Sequence, residues 1–168
     1  PTLSSAASDV YKRQADNILI GGGMAFTLLT AKGFEVGNSL VDQSKISIAT
    51  ELIEKAKAKN NLMLPKDSIC ARSLDPTKAK KAYHVSKMPK KMTGLDIGPK
   101  TTEFFSSIIN QSKTVIWNGP LGMFENKDFC EGTHKLAECL AQNTEKGLIS
   151  IAGAVSYTHL RAHETTEH

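Results

Sequence analysis

The sequence predicts an α/β protein, a three-layer sandwich with a mainly parallel, Rossmann-like sheet. Two observations carry that expectation. From Ala15 to Ala154, short apolar strand-like runs alternate with stretches whose apolar residues recur at helical spacing. That is the pattern of a parallel sheet covered by helices on both faces. In addition, two of the strands run straight into glycine-rich turns, Gly21-Gly22-Gly23 after Ile20 and Asn118-Gly119-Pro120-Leu121-Gly122 after Trp117. Open α/β sheets bind their ligands at such strand ends.

Asn17 to Ile20 is apolar and largely β-branched, a strand feeding the glycine triplet, and Met24 to Ala31 then reads as a helix. Between Lys45 and Lys59 the apolar positions Ala49, Leu52, Ile53 and Ala56 fall on one helical face, with Glu51 and Lys55 four apart on another. Leu62 to Leu64 is a brief strand stopped by Pro65. Strand-like pieces at Ile69 to Ala71 and Ala82 to Val85 flank a lysine-rich turn and read as a hairpin. Gly98-Pro99 opens a helix, since proline in the first turn loses no hydrogen bond. Phe104, Phe105, Ile108 and Ile109 line the buried side of that helix. Thr114 to Trp117 reads as a buried strand. Phe129, Thr133, Leu136, Ala137 and Leu140 mark one face of a later helix, and Leu148 to Ala152 a last strand.

The chain's 168 residues suit one ordinary domain, and 40% hydrophobic with 23% charged residues is a globular composition. No run of 18 apolar residues is present, so no transmembrane helix is expected. Cys70, Cys130 and Cys139 form no CxxC pair, which argues against a disulfide scaffold and a zinc module. A formal charge of +4 is too mild to point to nucleic acid. The lysines 78, 80, 81, 87, 90, 91 and 100 have no interleaved aromatics for base stacking and read as a solvated loop. His84 and His134 read as surface or capping residues. His159 and His163 lie in a polar tail and lack HExxH spacing.

Glycine at a strand end lets a ligand approach the backbone and frees N–H groups to face an anion at a helix start. The pair of turns therefore suggests a phosphate-bearing ligand. By itself the Gly21 to Gly23 triplet is neither GxGxxG nor a lysine-bearing P-loop, and structural packing explains it as well. Glu125, just past the second turn, suits hydrogen bonds from ribose hydroxyls or, equally, a helix-start carboxylate.

Three segments carry a resemblance: Asn17 to Thr27, Gly94 to Thr101, and Val115 to Glu125, the last with the pattern WNGPxGxFE. In order and spacing, and with Leu64-Pro65-x-Asp67 and Phe129-x-x-Gly132-Thr133 between and after them, they resemble phosphoglycerate kinase. The similarity runs from about Ala15 to Ala154 and matches much of that family's C-terminal, nucleotide-binding domain. It implies an incomplete C-terminal domain of a two-domain glycolytic kinase. Such an enzyme moves a phosphoryl group between 1,3-bisphosphoglycerate and Mg-ADP, giving 3-phosphoglycerate and Mg-ATP. By resemblance, Gly21 and Gly22 pack against the adenine, Gly94 borders the same pocket, and Leu121 meets the base or ribose from the other side. Asn118 and Gly119 hold the ribose and phosphate end, and Glu125 the ribose hydroxyls.

The resemblance ends at both termini. A lysine-bearing GAK-type segment precedes the first strand in the family, where this chain has Pro1 to Gln14. A glycine-Asp-Thr/Ser segment follows the last strand, where this chain reads Val155-Ser156-Tyr157. Residues 1–14 and 155–168 are accordingly expected to be non-native tails around a partial domain, 15–154. No catalytic residue or metal ligand is assigned, and the Mg²⁺ contacts of an ATP/ADP site are expected outside the fragment. The fragment alone is expected to be inactive, with an adenine nucleotide as its partner. 3-Phosphoglycerate is expected only with the missing N-terminal domain, and neither nucleic acid nor membrane is expected. The whole protein is expected to be cytoplasmic and monomeric. The alternative is a non-catalytic nucleotide-binding module. A dehydrogenase-type dinucleotide domain is disfavoured because Asp42 stands near the ribose-partner distance without a GxGxxG before it.

Overall fold

The computed structural model describes residues 15–153 except Pro76 and Phe124. The elements run β1 (Ile18–Leu19), α1 (Gly23–Ala31), α2 (Ile46–Lys57), β2 (Leu62–Met63), β3 (Asp67–Ala71), β4 (Lys80–His84), β5 (Thr93–Ile97), α3 (Pro99–Asn110), β6 (Thr114–Asn118), α4 (Glu131–Glu145) and β7 (Ile149–Gly153). Two of the three sheets are parallel ladders. β1 pairs with β2 in the register Ile18 to Leu62, and β6 pairs with β7 in the register Thr114 to Ile149. The third is antiparallel, in the order β4-β3-β5, with a bulge between Ile69 and Cys70. The hairpin read from the sequence is the β3–β4 pair.

The layers follow from the two-residue period of a strand. Ile18 and Ile20 join Ala25, Leu28, Ala49 and Leu52 in a core shared with α1 and α2. Leu19 and Met63 turn the other way, onto Ile97, Phe105, Ile109, Leu136 and Leu140 of β5, α3 and α4. Helices thus cover the β1–β2 ladder on both faces. α1 has no single apolar stripe because it is buried on two sides. Leu28 faces the first core, while Phe26 and Leu29 face a third, with Val36, Cys70, Val85 and Met88, beneath the antiparallel sheet.

The structure departs from the sequence-based expectation in two places. β5 carries no strand signal in the sequence, because glycine and aspartate weaken strand propensity; tertiary partners of Gly94 and Asp96 supply what propensity lacks. The strand expected to be buried at Thr114 to Trp117 is buried on one face. Val115 and Trp117 pack inward, while Ile116, Ile149 and Ile151 are 64%, 61% and 52% exposed on the other face. The lysines between β3 and α3 are exposed, and His84 caps the short turn after β4 by accepting the Ser86 N–H on Nδ1. The tails, with His159 and His163, lie outside the described residues.

Candidate functional site

Two loops meet at the ends of β1 and β6. Gly22 stands at the N-terminus of α1 with φ +69°, a left-handed backbone that glycine adopts freely. A Cβ there would lie 2.7 Å from the Pro120 carbonyl oxygen, so the two turns touch only because Gly22 has none. Gly21 abuts the Leu121 side chain, its would-be Cβ 2.5 Å from Leu121 Cδ2. On the second loop, Gly119 also has a positive φ, 85°. Its carbonyl accepts the Trp117 indole N–H at 2.7 Å, and Met123 N–H donates to Leu95 O at 2.9 Å. The loop is thereby bound to β6 at one end and to β5 at the other.

Between the loops and β5 lies a cavity of about 360 Å³, within the range of small-molecule sites. Its wall is mainly apolar: Phe26, Leu40, Leu95, Pro120, Leu121 and Met123, with Gly22 and Gly94 also in the lining. Gly94 has no room for a side chain, since a Cβ would stand 2.4 Å from the Phe26 ring. Leu40 overhangs the mouth and is 75% exposed. Its loop is pinned by Ser39, whose Oγ accepts the Gly94 N–H at 2.9 Å, and by Thr27, whose Oγ1 accepts the Asp42 N–H at 3.1 Å.

Two buried carboxylates stand at the polar side of the cavity, Asp67 and Asp96. Asp67 accepts the Lys100 and Thr101 N–H groups at the start of α3. Burial pushes the Asp96 carboxyl up to about 6, opposed by the Gly132 and Ile97 N–H bonds. Among the described residues, no group of three or more His, Cys, Asp or Glu side chains is placed to hold a metal ion.

Of the residues expected in a site, Gly22, Gly94 and Leu121 line the cavity and Gly21 backs onto Leu121. Asn118 and Gly119 are on the same loop but outside the lining, and Glu125 is exposed two residues beyond Met123. Leu40, Met123, Phe26 and Asp96 were missed. An isolated leucine in a turn has no sequence signal that separates it from any other; only its place over the cavity does.

Fold and cavity define an α/β protein with an apolar cleft at its strand ends. A family model described as "Phosphoglycerate kinase" matches residues 6–166, and the chain belongs to that family. It is 45% identical over 141 residues to the phosphoglycerate kinase of Prosthecochloris aestuarii, covering 83% of this chain and 36% of that protein. It is 44% identical over 141 residues to a protein of Nicotiana tabacum named "Phosphoglycerate kinase, cytosolic", covering 83% of the chain and 35% of the relative. The chain thus spans about a third of the length of the curated relatives it matches. Among solved structures, the Coxiella burnetii phosphoglycerate kinase superposes with a TM-score of 0.86 at 29% identity, over 96% of this chain and 42% of that one. The Pyrococcus horikoshii enzyme, at 21% identity and a TM-score of 0.69, covers 86% and 42% and shares the fold. No helix among the described residues is long and apolar enough to cross a membrane.

Proposed function

We propose that residues 15–154 form part of the nucleotide-binding domain of a glycolytic phosphotransferase. The whole protein transfers a phosphoryl group between 1,3-bisphosphoglycerate and ADP, giving 3-phosphoglycerate and ATP. The single observation that carries the reading is the glycine-backed apolar cavity where the Gly21–Gly23 turn meets the loop after β6. Its apolar wall fits a purine base, with Leu40 and Leu121 as the apolar contacts. Asn118 and Gly119, on the same loop, are assigned the ribose and phosphate end, and the Glu125 carboxylate the ribose hydroxyls. Mg²⁺ bound with the nucleotide would neutralise charge on the phosphoryl group, and residues outside 15–154 would hold it. The triose is held by the rest of a two-domain, cytoplasmic, monomeric protein.

Calorimetric titration of the 168-residue chain with ADP tests the nucleotide site. Heat of binding that fits one site, weakened in Glu125→Ala with the fold intact, is the expected result. No binding, or equal affinity in both chains, overturns the assignment of the cavity or of Glu125 respectively. ATP consumption dependent on 3-phosphoglycerate is expected from a full-length clone and not from this chain. A full-length clone that binds ADP without that activity would support the alternative, a non-catalytic nucleotide module.

A further inference from the structure

Asp96 is 4% exposed at the point where β5, the loop after β6 and α4 converge, and none of the roles above uses it. Its Oδ1 accepts the Ile97 N–H at 2.9 Å and its Oδ2 accepts the N–H of Gly132, in the first turn of α4, at 2.9 Å. Ser68 Oγ donates to its carbonyl oxygen at 2.8 Å, joining it to β3. From the other side the site loop lies on the carboxylate. A Cβ on Gly122 would stand 2.5 Å from Asp96 Oδ1 and 2.9 Å from the Leu95 carbonyl, the same oxygen that holds the Met123 N–H. Gly132 also comes close from α4, its would-be Cβ 3.0 Å from Oδ1.

A buried carboxylate costs far more to desolvate than an apolar side chain of similar volume, so packing alone does not call for one here. The charges around it divide. Lys80 of β4 favours its ionised form, Glu131 at the start of α4 disfavours it, and Cys130 beside it feels its charge together with that of Asp128. What an ionised carboxylate supplies at this junction is geometry: two fixed acceptors for backbone N–H groups of two elements, with a glycine of the third resting on it.

We infer that Asp96 is the positioning residue of the cavity. Its carboxylate, held by the N-terminus of α4 and overlain by Gly122, sets the distance of the Gly119–Met123 loop from β5 and hence the width of the nucleotide cleft. The cleft's occupant rests on the reading proposed above; the positioning itself does not.

The test uses the whole 168-residue chain and reads amide hydrogen exchange by NMR, corrected for intrinsic rates. Asp96→Asn keeps the shape but turns one acceptor into a donor aimed at a backbone N–H. Near neutral pH the Gly132 amide is expected to exchange about tenfold faster in the variant, as loss of its charge-assisted bond implies, and the Met123 amide faster as well because the loop that carries it shifts away from Leu95, with α2 amides unchanged. In the parent, the same two amides are expected to lose protection as pH falls through about 6. Uniform acceleration throughout the chain would mean a merely structural role and overturn the inference, as would unchanged protection at Met123. If the variant does not fold, the parent's pH series decides: protection at Met123 that is flat across that range overturns it. ADP titration of the same samples separates the two readings. A weakened affinity in the variant supports both. A parent that binds no ADP, with the loop amides still responding to Asp96, keeps the positioning role and overturns the nucleotide one.

Discussion

The Asp67 carboxylate closes the start of a helix that begins some thirty residues further along the chain. Its Oδ1 accepts the Thr101 N–H at 2.8 Å and the Thr101 hydroxyl at 2.6 Å, and its Oδ2 accepts the Lys100 N–H at 3.0 Å. Gly98, which precedes α3, has no side chain to cap it; a Cβ there would collide with this carboxylate. A strand residue therefore does what a local serine or aspartate does at most helix starts.

Asp67→Ala leaves the buried Thr101 N–H and the part-buried Lys100 N–H without an acceptor and removes a charge from the positive end of α3. A loss of about 3 kcal/mol is expected, since bonds to charged groups are worth about 1.5–3 kcal/mol and more than one goes. Urea denaturation followed by circular dichroism measures it; a loss under about 1 kcal/mol would mean that water or another group takes over the cap.

Gly94→Ala forces a methyl group against the Phe26 ring, 2.4 and 2.7 Å from two ring carbons, and 2.8 Å from Ser68 Oγ. Overpacking of this kind costs about 1–3 kcal/mol. Phe26 also walls the cavity, so the same substitution should lower ADP affinity. A variant as stable as its parent, with unaltered affinity, would show that Phe26 swings clear.

Leu40 contributes little to the core because it is 75% exposed. Leu40→Ala is expected to shift the unfolding midpoint within the scatter of surface substitutions, about 0.5 kcal/mol, while ADP affinity falls several-fold. Calorimetry and urea titration on one preparation separate the two quantities. Equal affinity would remove Leu40 from the site.

Asp96 makes stability depend on pH in a direction opposite to that of most carboxylates. Its carboxyl titrates near 6 in the folded chain against an ordinary 3.8, because burial penalises the charge. The folded state binds this proton more tightly, so the contribution is whole below pH 3.8 and is lost as pH rises through about 6. The shift corresponds to roughly 3 kcal/mol. Glu51, Asp75 and Glu131 run the other way: hydrogen bonds hold their carboxyls low, and their small, solvent-screened contributions disappear on acidification. Between neutral pH and about pH 5 the parent should therefore gain stability relative to Asp96→Asn. A constant difference between the two chains across that interval would contradict the shift.

How much was legible in the sequence differs from element to element. α2 and α3 were read within a few residues because Ala49, Leu52 and Ala56 in the one, and Phe105 and Ile109 in the other, keep a helical period against a single core. α1 was placed by its glycine turn, although its composition shows no face. β5 escaped notice: Gly94 and Asp96 are poor strand residues, and their reasons for being there are Phe26, Ser68 and Gly132, none of them neighbours in the chain. Ile116 reads as a buried strand residue by hydrophobicity, and only the packing shows which face of β6 the helices cover.

By itself the sequence determined the α/β class, the order of its helices and the two glycine turns that mark the strand ends. All of these rest on local chemistry: side-chain period, and proline and glycine at turns. The tertiary structure alone decided the cleft. Leu40 reaches its mouth because Ser39 Oγ is bonded to the Gly94 N–H, 55 residues away, and the opposite wall stands where it does because Gly122 rests on Asp96. Contacts of that kind depend on where the chain returns after folding, which no local pattern encodes.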